Sequence, residues 1–218
     1  MRPLVKRPNI PGIAPEGYPM IAGGAAVTAL TARYSRPWTV VPLAFTVATT
    51  LFFRDPKRPL PSDKCKLVAA ADGLVTRVDT IDEPRFIKGR ALRIVTFLSL
   101  FDVHINRMPV DGTVRYVEHL PGEFRAAWDA EADLVNERNY IGLETAYGPV
   151  LLIQIAGLVA RRIVCHVGAG SSVRAGERMG MIKFGSRTDV IVPEGVAHSL
   201  VVPGRRVLAG VTPIGEWL

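Results

Sequence analysis

The chain is poor in the residues that build disulfide frameworks and metal centres. It has two cysteines, Cys65 and Cys165, whose spacing matches neither a disulfide-rich scaffold nor a zinc motif. Its four histidines are scattered, whereas a zinc site needs ligands that converge. We therefore predict two reduced, partly buried thiols, no metal, and a cytoplasmic environment.

Aromatic residues are also scarce, at 7% of the 218 residues, and no RNA-recognition or helix-turn-helix pattern is present. The net charge of +7 nevertheless indicates an anionic partner. The two observations together favour an anionic membrane surface over nucleic acid.

Neither apolar run of the chain is long and continuous enough to predict a transmembrane helix. Its longer apolar run, residues 37–53, reaches about 17 residues, or roughly 25 Å as a helix, against roughly 30 Å of bilayer core, and Pro42 interrupts it. A shorter run covers residues 18–32. Basic residues flank the pair on both sides: Arg2, Lys6, Arg7, Arg54, Lys57 and Arg58. We expect a hairpin that dips into the cytoplasmic face of the cell membrane, in a peripheral or monotopic protein. Two short tilted spans, or two buried helices, are the alternatives.

The composition changes after Arg54. Short apolar segments such as ALRIVTFL, VLLIQIAG and DVIVP recur between turn residues, which predicts strands. Gly73 and Gly176 lie in stretches that are typical of lipoyl-type hybrid barrels, where glycine supplies a positive φ. We predict a mainly β fold, with an N-terminal apolar helical hairpin over 1–56 and a barrel-sandwich hybrid-like domain over 57–218. Residues 125–139 are expected to form a loop or short helix near the active-site mouth, or a solvated excursion.

The dipeptide Gly185-Ser186, within KFGSRTD, can support self-cleavage. A serine hydroxyl can attack the preceding carbonyl, and a glycine there removes the Cβ that would obstruct the approach. The resulting ester can be lost by β-elimination, and hydrolysis with release of ammonia then leaves a pyruvoyl group at position 186. Such a ketone condenses with a substrate amine and withdraws electrons from the adjacent carbon, so no external cofactor is needed.

Three segments carry a family resemblance. They are ADGLVTRV at 71–78, LFDVHINRMPVDGTV at 100–114 and RIVCHVGAGSSVRAGERMGMIKFGSRTDVIV at 162–192. In this order and spacing they resemble the phosphatidylserine decarboxylases, in particular the short, membrane-associated prokaryotic form, from about Phe52 to near the C-terminus. The resemblance implies cleavage between Gly185 and Ser186 into a large and a small chain. It also implies a covalent pyruvoyl group derived from Ser186, no metal, and conversion of phosphatidylserine to phosphatidylethanolamine.

The resemblance also suggests catalytic residues. His104 matches a histidine associated with substrate handling and decarboxylation, and Asp72 matches an aspartate of a self-cleavage relay. The longer enzymes carry a second histidine three positions after the first, where this chain has Arg107, so the relay cannot be carried over whole. The base for Ser186 therefore stays open between His104, a neighbouring carboxylate such as Asp189, and strain at Gly185.

Three further histidines and two arginines complete the candidates. His166 is a second possible base at a strand end, whereas His119 and His198 are expected on the surface. Because histidine titrates near neutrality, His104 is the predicted proton donor to the α-carbon or the group that orients the leaving carboxylate. Arg107 or Arg187 is predicted to hold the substrate phosphate or carboxylate.

Other functions remain open. A membrane-tethered, lipoyl-like carrier or adaptor would need a modifiable lysine, for which Lys183 is the candidate. A zinc peptidase on a hybrid barrel would need converging histidines. Other pyruvoyl enzymes share the cleavage chemistry but lack the apolar N-terminal pair.

We expect the cleaved chains to stay together through strands at 189–193 and 199–203, and a homodimer of that unit is plausible. The lipid tails, diacyl or ether, cannot be read from the sequence.

Overall fold

The structure is a computed structural model that describes residues 10–59, 61–123, 135–157, 162–182 and 186–218. The chain divides into two compact units, Met1–Lys57 and Arg58–Leu218. Gly185, Lys183 and most of the predicted loop at 125–139 lie outside the described residues.

The first unit is a pair of helices, α1 (Tyr18–Tyr34) and α2 (Val40–Phe52), each preceded by a 3₁₀ turn, Pro15–Gly17 and Arg36–Thr39. Pro42 lies in the first turn of α2, where its missing N–H breaks no helical hydrogen bond. The second apolar run is therefore divided between a 3₁₀ turn and α2. Within the described residues, no helix combines the length and the apolar character needed to cross a membrane.

Small and hydroxyl side chains fill the contact between α1 and α2. A Cβ added at Gly24 would lie 2.5 Å from Thr46 Oγ1, and the hydroxyls of Thr28 and Thr46 lie 3.4 Å apart. Thr28 and Thr46 also donate to carbonyls one turn earlier, those of Gly24 and Pro42. These bonds satisfy the hydroxyls and let the helices approach closely.

The second unit is built from strands. In the described residues they are β1 (Lys66–Val68), β2 (Gly73–Glu83), β3 (Gly89–Leu98), β4 (Ile105–Arg107), β5 (Gly112–Leu120), β6 (Arg138–Thr145), β7 (Gly148–Ala156), β8 (Ile163–Cys165), β9 (Ser172–Val173), β10 (Arg178–Ile182), β11 (Ser186–Pro193), β12 (Ala197–Ser199), β13 (Arg206–Val207) and β14 (Pro213–Trp217). They form an eight-stranded antiparallel sheet, β13-β2-β3-β11-β7-β6-β5-β9, and two three-stranded sheets, β1-β14-β12 and β4-β10-β8.

Strand β11 lies in the middle of the large sheet, hydrogen-bonded to β3 on one side and β7 on the other. Its residues alternate between two apolar clusters: Val190 belongs to the main core, with Ile94 and Leu152, whereas Ile191 belongs to a second cluster on the opposite face. The prediction that strands after residue 186 complete the sheet is confirmed for β11. Residues 200–203 form no strand.

The predicted fold class, a mainly β domain of the hybrid-barrel kind behind an apolar helical pair, is confirmed. Both glycine turns also have the expected backbone, with φ of 153° at Gly73 and 78° at Gly176. At Gly73 the reason is steric as well, because an added Cβ would lie 2.0 Å from the carbonyl oxygen of Phe97.

Candidate active site

Ser186 is the first residue of β11 and is fully buried. Its backbone pairs with Leu98 of β3 and Ala156 of β7. Its hydroxyl oxygen has no hydrogen-bond partner within the described part of the chain. A buried hydroxyl without a partner costs free energy, which keeps Ser186 a candidate functional residue.

The turn that follows β3, residues 99–102, positions His104. The Asp102 carboxylate accepts hydrogen bonds from the backbone N–H and the hydroxyl of Ser99, at 2.8 and 2.7 Å. The carbonyl oxygen of Asp102 lies 2.9 Å from His104 Nδ1. Because a carbonyl only accepts, Nδ1 carries the hydrogen, and Nε2 is the basic nitrogen of the neutral ring. His104 itself is fully buried.

His104 and Ser186 are brought to the same end of the large sheet by backbone contacts. The carbonyl of His104 accepts a hydrogen bond from Ile182 at the end of β10, while Ser186 pairs with Leu98, directly before the 99–102 turn. The residues on both sides of positions 183–185 are therefore fixed against the same turn. This arrangement supports the predicted pairing of His104 with Ser186.

Asp72 lies just before β2, in a buried position set by the backbone at Gly73. One carboxylate oxygen accepts from Arg58 Nη2 at 2.6 Å, and the other accepts from the backbone N–H of Ala209 at 2.8 Å. Burial raises the pKa of Asp72 above its ordinary value, although the bonds from Ala209 and Arg58 act in the opposite direction. Because position 107 is arginine and not histidine, the sequence did not identify the group that Asp72 orients. In the structure, Arg58 and the backbone at Ala209 contact the Asp72 carboxylate.

Arg107 ends β4 and is half-buried. Its backbone N–H donates to the carbonyl of Ala70, two residues before Asp72, and its guanidinium donates to the carbonyl of Gly176 at 3.1 Å. The structure therefore places Arg107 beside the chain that carries Asp72. Its predicted role in binding substrate stays a prediction.

Arg187 lies on the other face of β11. Adjacent strand residues project to opposite faces, so the side chains of Arg187 and Asp189 are directed away from the face that Ser186 occupies. The two are buried and joined by two hydrogen bonds of 2.7 and 2.6 Å. This geometry opposes Asp189 as the base for Ser186, and it opposes Arg187 as a substrate ligand on the face that Ser186 occupies.

The remaining predicted residues lie elsewhere. His119 and His198 are half exposed, beside Glu137 and Glu216 respectively, and His166 is exposed. Cys65 and Cys165 are free thiols, and burial raises the pKa of Cys165. Within the described ranges, no group of three or more histidine, cysteine, aspartate or glutamate side chains could hold a metal ion.

Comparison with known proteins agrees with this geometry. Residues 45–215 match the family model of phosphatidylserine decarboxylase. A phosphatidylserine decarboxylase proenzyme of Symbiobacterium thermophilum is 48% identical over 209 residues, 94% of this chain and 96% of the relative. Proenzymes of the same name from Carboxydothermus hydrogenoformans and Nitrosomonas eutropha are 46% and 42% identical, over 76% and 95% of this chain and 78% and 96% of theirs. The chain belongs to the phosphatidylserine decarboxylase family.

This member of the phosphatidylserine decarboxylase family also buries a chain of amides that the sequence analysis missed. Asn139 Nδ2 donates to Gln154 Oε1 at 3.0 Å, and Gln154 Nε2 donates to Asn106 Oδ1 at 2.8 Å. Gln154 pairs with Thr188, two residues along the same face of β11 from Ser186. The Asn106 amide nitrogen and the Thr188 hydroxyl, like the Ser186 hydroxyl, have no partner among the described residues.

The amide chain gives the region of Ser186 a polar lining within an apolar core. Its one visible signal in the sequence was Gln154, a polar residue inside the apolar run VLLIQIAG. A buried polar residue in a central strand needs partners, which the sequence alone does not identify.

Proposed function

We propose that this chain is a zymogen that cleaves itself between Gly185 and Ser186 and then decarboxylates phosphatidylserine to phosphatidylethanolamine. The observation that carries the proposal is the Ser186 hydroxyl, fully buried and without a partner among the described residues, at the start of the central strand. Membership of the phosphatidylserine decarboxylase family supplies the reaction, and the relatives are named proenzymes.

In the self-cleavage step, Ser186 Oγ attacks the carbonyl carbon of residue 185. The C–O bond forms, the C–N bond breaks, and the hydroxyl proton must leave for a base. His104 is the base that the geometry favours, because Asp189 projects to the opposite face of β11. The proton passes to the amine of residue 186 as the C–N bond breaks. Elimination then removes the α-proton of residue 186 and breaks its Cβ–Oγ bond, so that Oγ leaves with residue 185 as a carboxylate. Hydrolysis of the dehydroalanine consumes water and releases ammonia.

The two chains stay together after cleavage for a structural reason. Strand β11 becomes the first strand of the small chain, and it keeps its hydrogen bonds to β3 and β7 of the large chain. Dimerisation of this two-chain unit stays a prediction from the sequence.

The residues around position 186 fit a pyruvoyl group. Its formation removes the buried Ser186 hydroxyl oxygen, which has no partner among the described residues, so the conversion relieves an unfavourable burial. The group supplies an electrophilic carbonyl that accepts electrons from the α-carbon of the substrate as carbon dioxide leaves.

The side chains of this site have separate tasks in the reaction. His104, with Nδ1 held by the Asp102 carbonyl, carries on Nε2 the proton that the α-carbon receives. Arg107 holds the phosphate or carboxylate of the headgroup. Asp72 is a positioning residue that fixes Arg58 and the loop at Ala209 around the site.

The membrane role of the first unit belongs to the same proposal. Residues 1–56 attach the enzyme to the cytoplasmic face of an anionic cell membrane, where the substrate resides. The support is the number of large apolar side chains that α1 and α2 expose, among them Leu30, Leu43 and Leu51.

The test is the intact mass of the purified protein under denaturing conditions, with Ser186→Ala as the variant and the exposed Ser172→Ala as its control. Two fragments that divide at Gly185 and Ser186, the smaller with a ketone in place of its N-terminal amine, are expected for the wild type and for Ser172→Ala. Ser186→Ala is expected to stay uncut and to release no carbon dioxide from phosphatidylserine vesicles. An uncut wild type, or full activity in Ser186→Ala, would contradict the proposal and favour the carrier or adaptor.

A further inference from the structure

The tip of the 99–102 turn carries two large apolar residues. Leu100 is 49% exposed and Phe101 is 86% exposed, at the two central positions of the turn. Such positions usually hold glycine, proline, asparagine, aspartate or serine. Most of the Phe101 side chain lies at the surface, and exposed large apolar side chains can mark interaction sites.

The turn is held rigidly. The Asp102 backbone N–H donates to the carbonyl of Ser99 at 3.1 Å, and the Asp102 carboxylate accepts the two bonds from Ser99. The carbonyl of Asp102 is also the group that holds His104 Nδ1. The apolar tip and the ring of His104 are therefore fixed by the same residue, and at most about 11 Å of chain separates Phe101 from His104.

A basic and apolar strand lies against this turn. Arg206 Nη1 lies 3.1 Å from Asp102 Oδ1, and the Arg206 side chain is 70% exposed. Leu208, two residues further and so on the same side of the chain, is 49% exposed, whereas Val207 between them is buried. We call Leu100, Phe101, Arg206 and Leu208 the turn-tip surface.

We propose that the turn-tip surface inserts into the interface of an anionic bilayer, with Leu100, Phe101 and Leu208 among the upper acyl chains and Arg206 against anionic headgroups. This inference rests on the proposed function. Large apolar residues beside arginine are the composition that anionic membrane interfaces bind. A bilayer is the occupant that this composition favours, because the exposed Arg206 complements anionic headgroups and the exposed apolar side chains can enter the acyl chains.

The direct test places a probe at Phe101. Phe101→Cys in a Cys65→Ser background is labelled with acrylodan and mixed with vesicles of phosphatidylcholine and phosphatidylglycerol, which contain no substrate. Cys65→Ser alone reports any label on Cys165, and Leu218→Cys, at a 79% exposed position, is the matched control. A blue shift with quenching by spin-labelled lipid is expected at position 101 but not at 218. An unshifted spectrum at position 101 would overturn the inference, and equal insertion into phosphatidylcholine alone would overturn the role of Arg206.

The second test separates docking from chemistry. It compares kcat/KM on phosphatidylserine in vesicles with kcat/KM on a water-soluble, short-chain phosphatidylserine. In the double variant Leu100→Ser, Phe101→Ser, we expect the ratio of the first to the second to fall about tenfold or more. The reason is that about two large apolar side chains lose their burial in lipid. Leu218→Ser should keep the wild-type ratio. An unchanged ratio in the double variant would overturn the inference. If the wild type decarboxylates neither substrate, the proposed function fails instead, and the probe at position 101 still tests the docking.

Discussion

Leu43, Val47 and Leu51 in α2 are about half exposed, whereas Leu152 and Ile191 in the central strands of the β unit are fully or almost fully buried. The contact between α1 and α2 is made instead by Gly24, Thr28 and Thr46, whose hydroxyls bond within their own helices. The β unit therefore sorts its side chains as a protein in water does. The helical pair exposes large apolar side chains and packs small and hydroxyl ones, a distribution that the proposed membrane attachment would explain.

The two units also differ in where polar groups are buried. In the helical pair the half-buried hydroxyls of Thr28 and Thr46 donate to carbonyls of the same helix. In the β unit, Ser186, Thr188 and Asn106 bury atoms that have no partner among the described residues, and all belong to the region of β11 and β4. These three groups include the candidate residue Ser186, although Trp217 in β14 also buries an Nε1 that has no partner among the described residues.

The largest expected effect would come from His104→Gln in the β unit. If Nε2 delivers the proton to the α-carbon, kcat of the processed enzyme on phosphatidylserine should fall about 10²–10⁴-fold. Because His104 is also the proposed base for cleavage, His104→Gln should cut more slowly, so carbon dioxide release is divided by the cleaved fraction that the intact mass gives. His198→Gln, at an exposed position beside Glu216, is the control and should keep full activity. A kcat within about twofold of the wild type would exclude His104 as the proton donor.

The next effect tests the outer face of the helical pair. Leu43, Val47 and Leu51 are spaced four residues apart and share one face of α2. Replacing all three by serine should weaken binding to anionic vesicles about tenfold or more, since apolar burial in lipid is lost. Co-sedimentation measures the affinity. The control Val117→Ser changes an exposed position on β5 and should bind vesicles as the wild type does. Undiminished binding by the triple variant would show that the exposed apolar face of α2 does not contribute to vesicle binding.

A smaller effect is expected when the buried amide chain is cut. Gln154→Leu leaves Asn106 Oδ1 and Asn139 Nδ2 without their partner, which should lower the free energy of unfolding by about 1–3 kcal/mol. A thermal melt should show a midpoint lower by about 2–4 °C for each kcal/mol. Thr188→Val is the matched comparison, because its hydroxyl has no partner among the described residues and its loss should be close to neutral.

The smallest effect is a pH dependence at the turn. Burial alone would raise the pKa of Asp102, but the hydrogen bonds from Ser99 and the contact with Arg206 outweigh it and lower the pKa below the ordinary value of 3.8. The ionised carboxylate therefore stabilises the fold above pH 3.8, and this contribution is lost as the pH falls through the lowered pKa.

Asp102→Asn should accordingly be less stable than the wild type near neutral pH, and the difference should narrow in acid. Urea midpoints at about pH 7 and about pH 3 measure it. Ser99→Ala, which removes one of the donors, should show part of the same change. A difference that widens in acid would contradict the assignment.

The sequence was most informative where a local pattern has a local cause. The Gly185-Ser186 dipeptide indicated the reacting residue through the chemistry of adjacent groups, and Gly73 was predicted as a positive-φ turn because only glycine fits there. Strand-rich structure followed from short apolar segments between turns. Pro42 was read as a break in a helix, whereas the helix begins at Val40 and places the proline in its first turn.

Contacts between distant segments decided the rest. Asn106 and Gln154 are 48 residues apart, and nothing in either segment specifies the other as its partner. The face on which Arg187 and Asp189 lie depends on the register of β11 with β3 and β7, since a shift by one residue would exchange the faces. The sequence by itself determined the family, the candidate serine, and the balance of apolar and basic residues. Only the tertiary structure could decide which side chains surround that serine, because strand register and long-range pairing arise from the packing of the whole sheet.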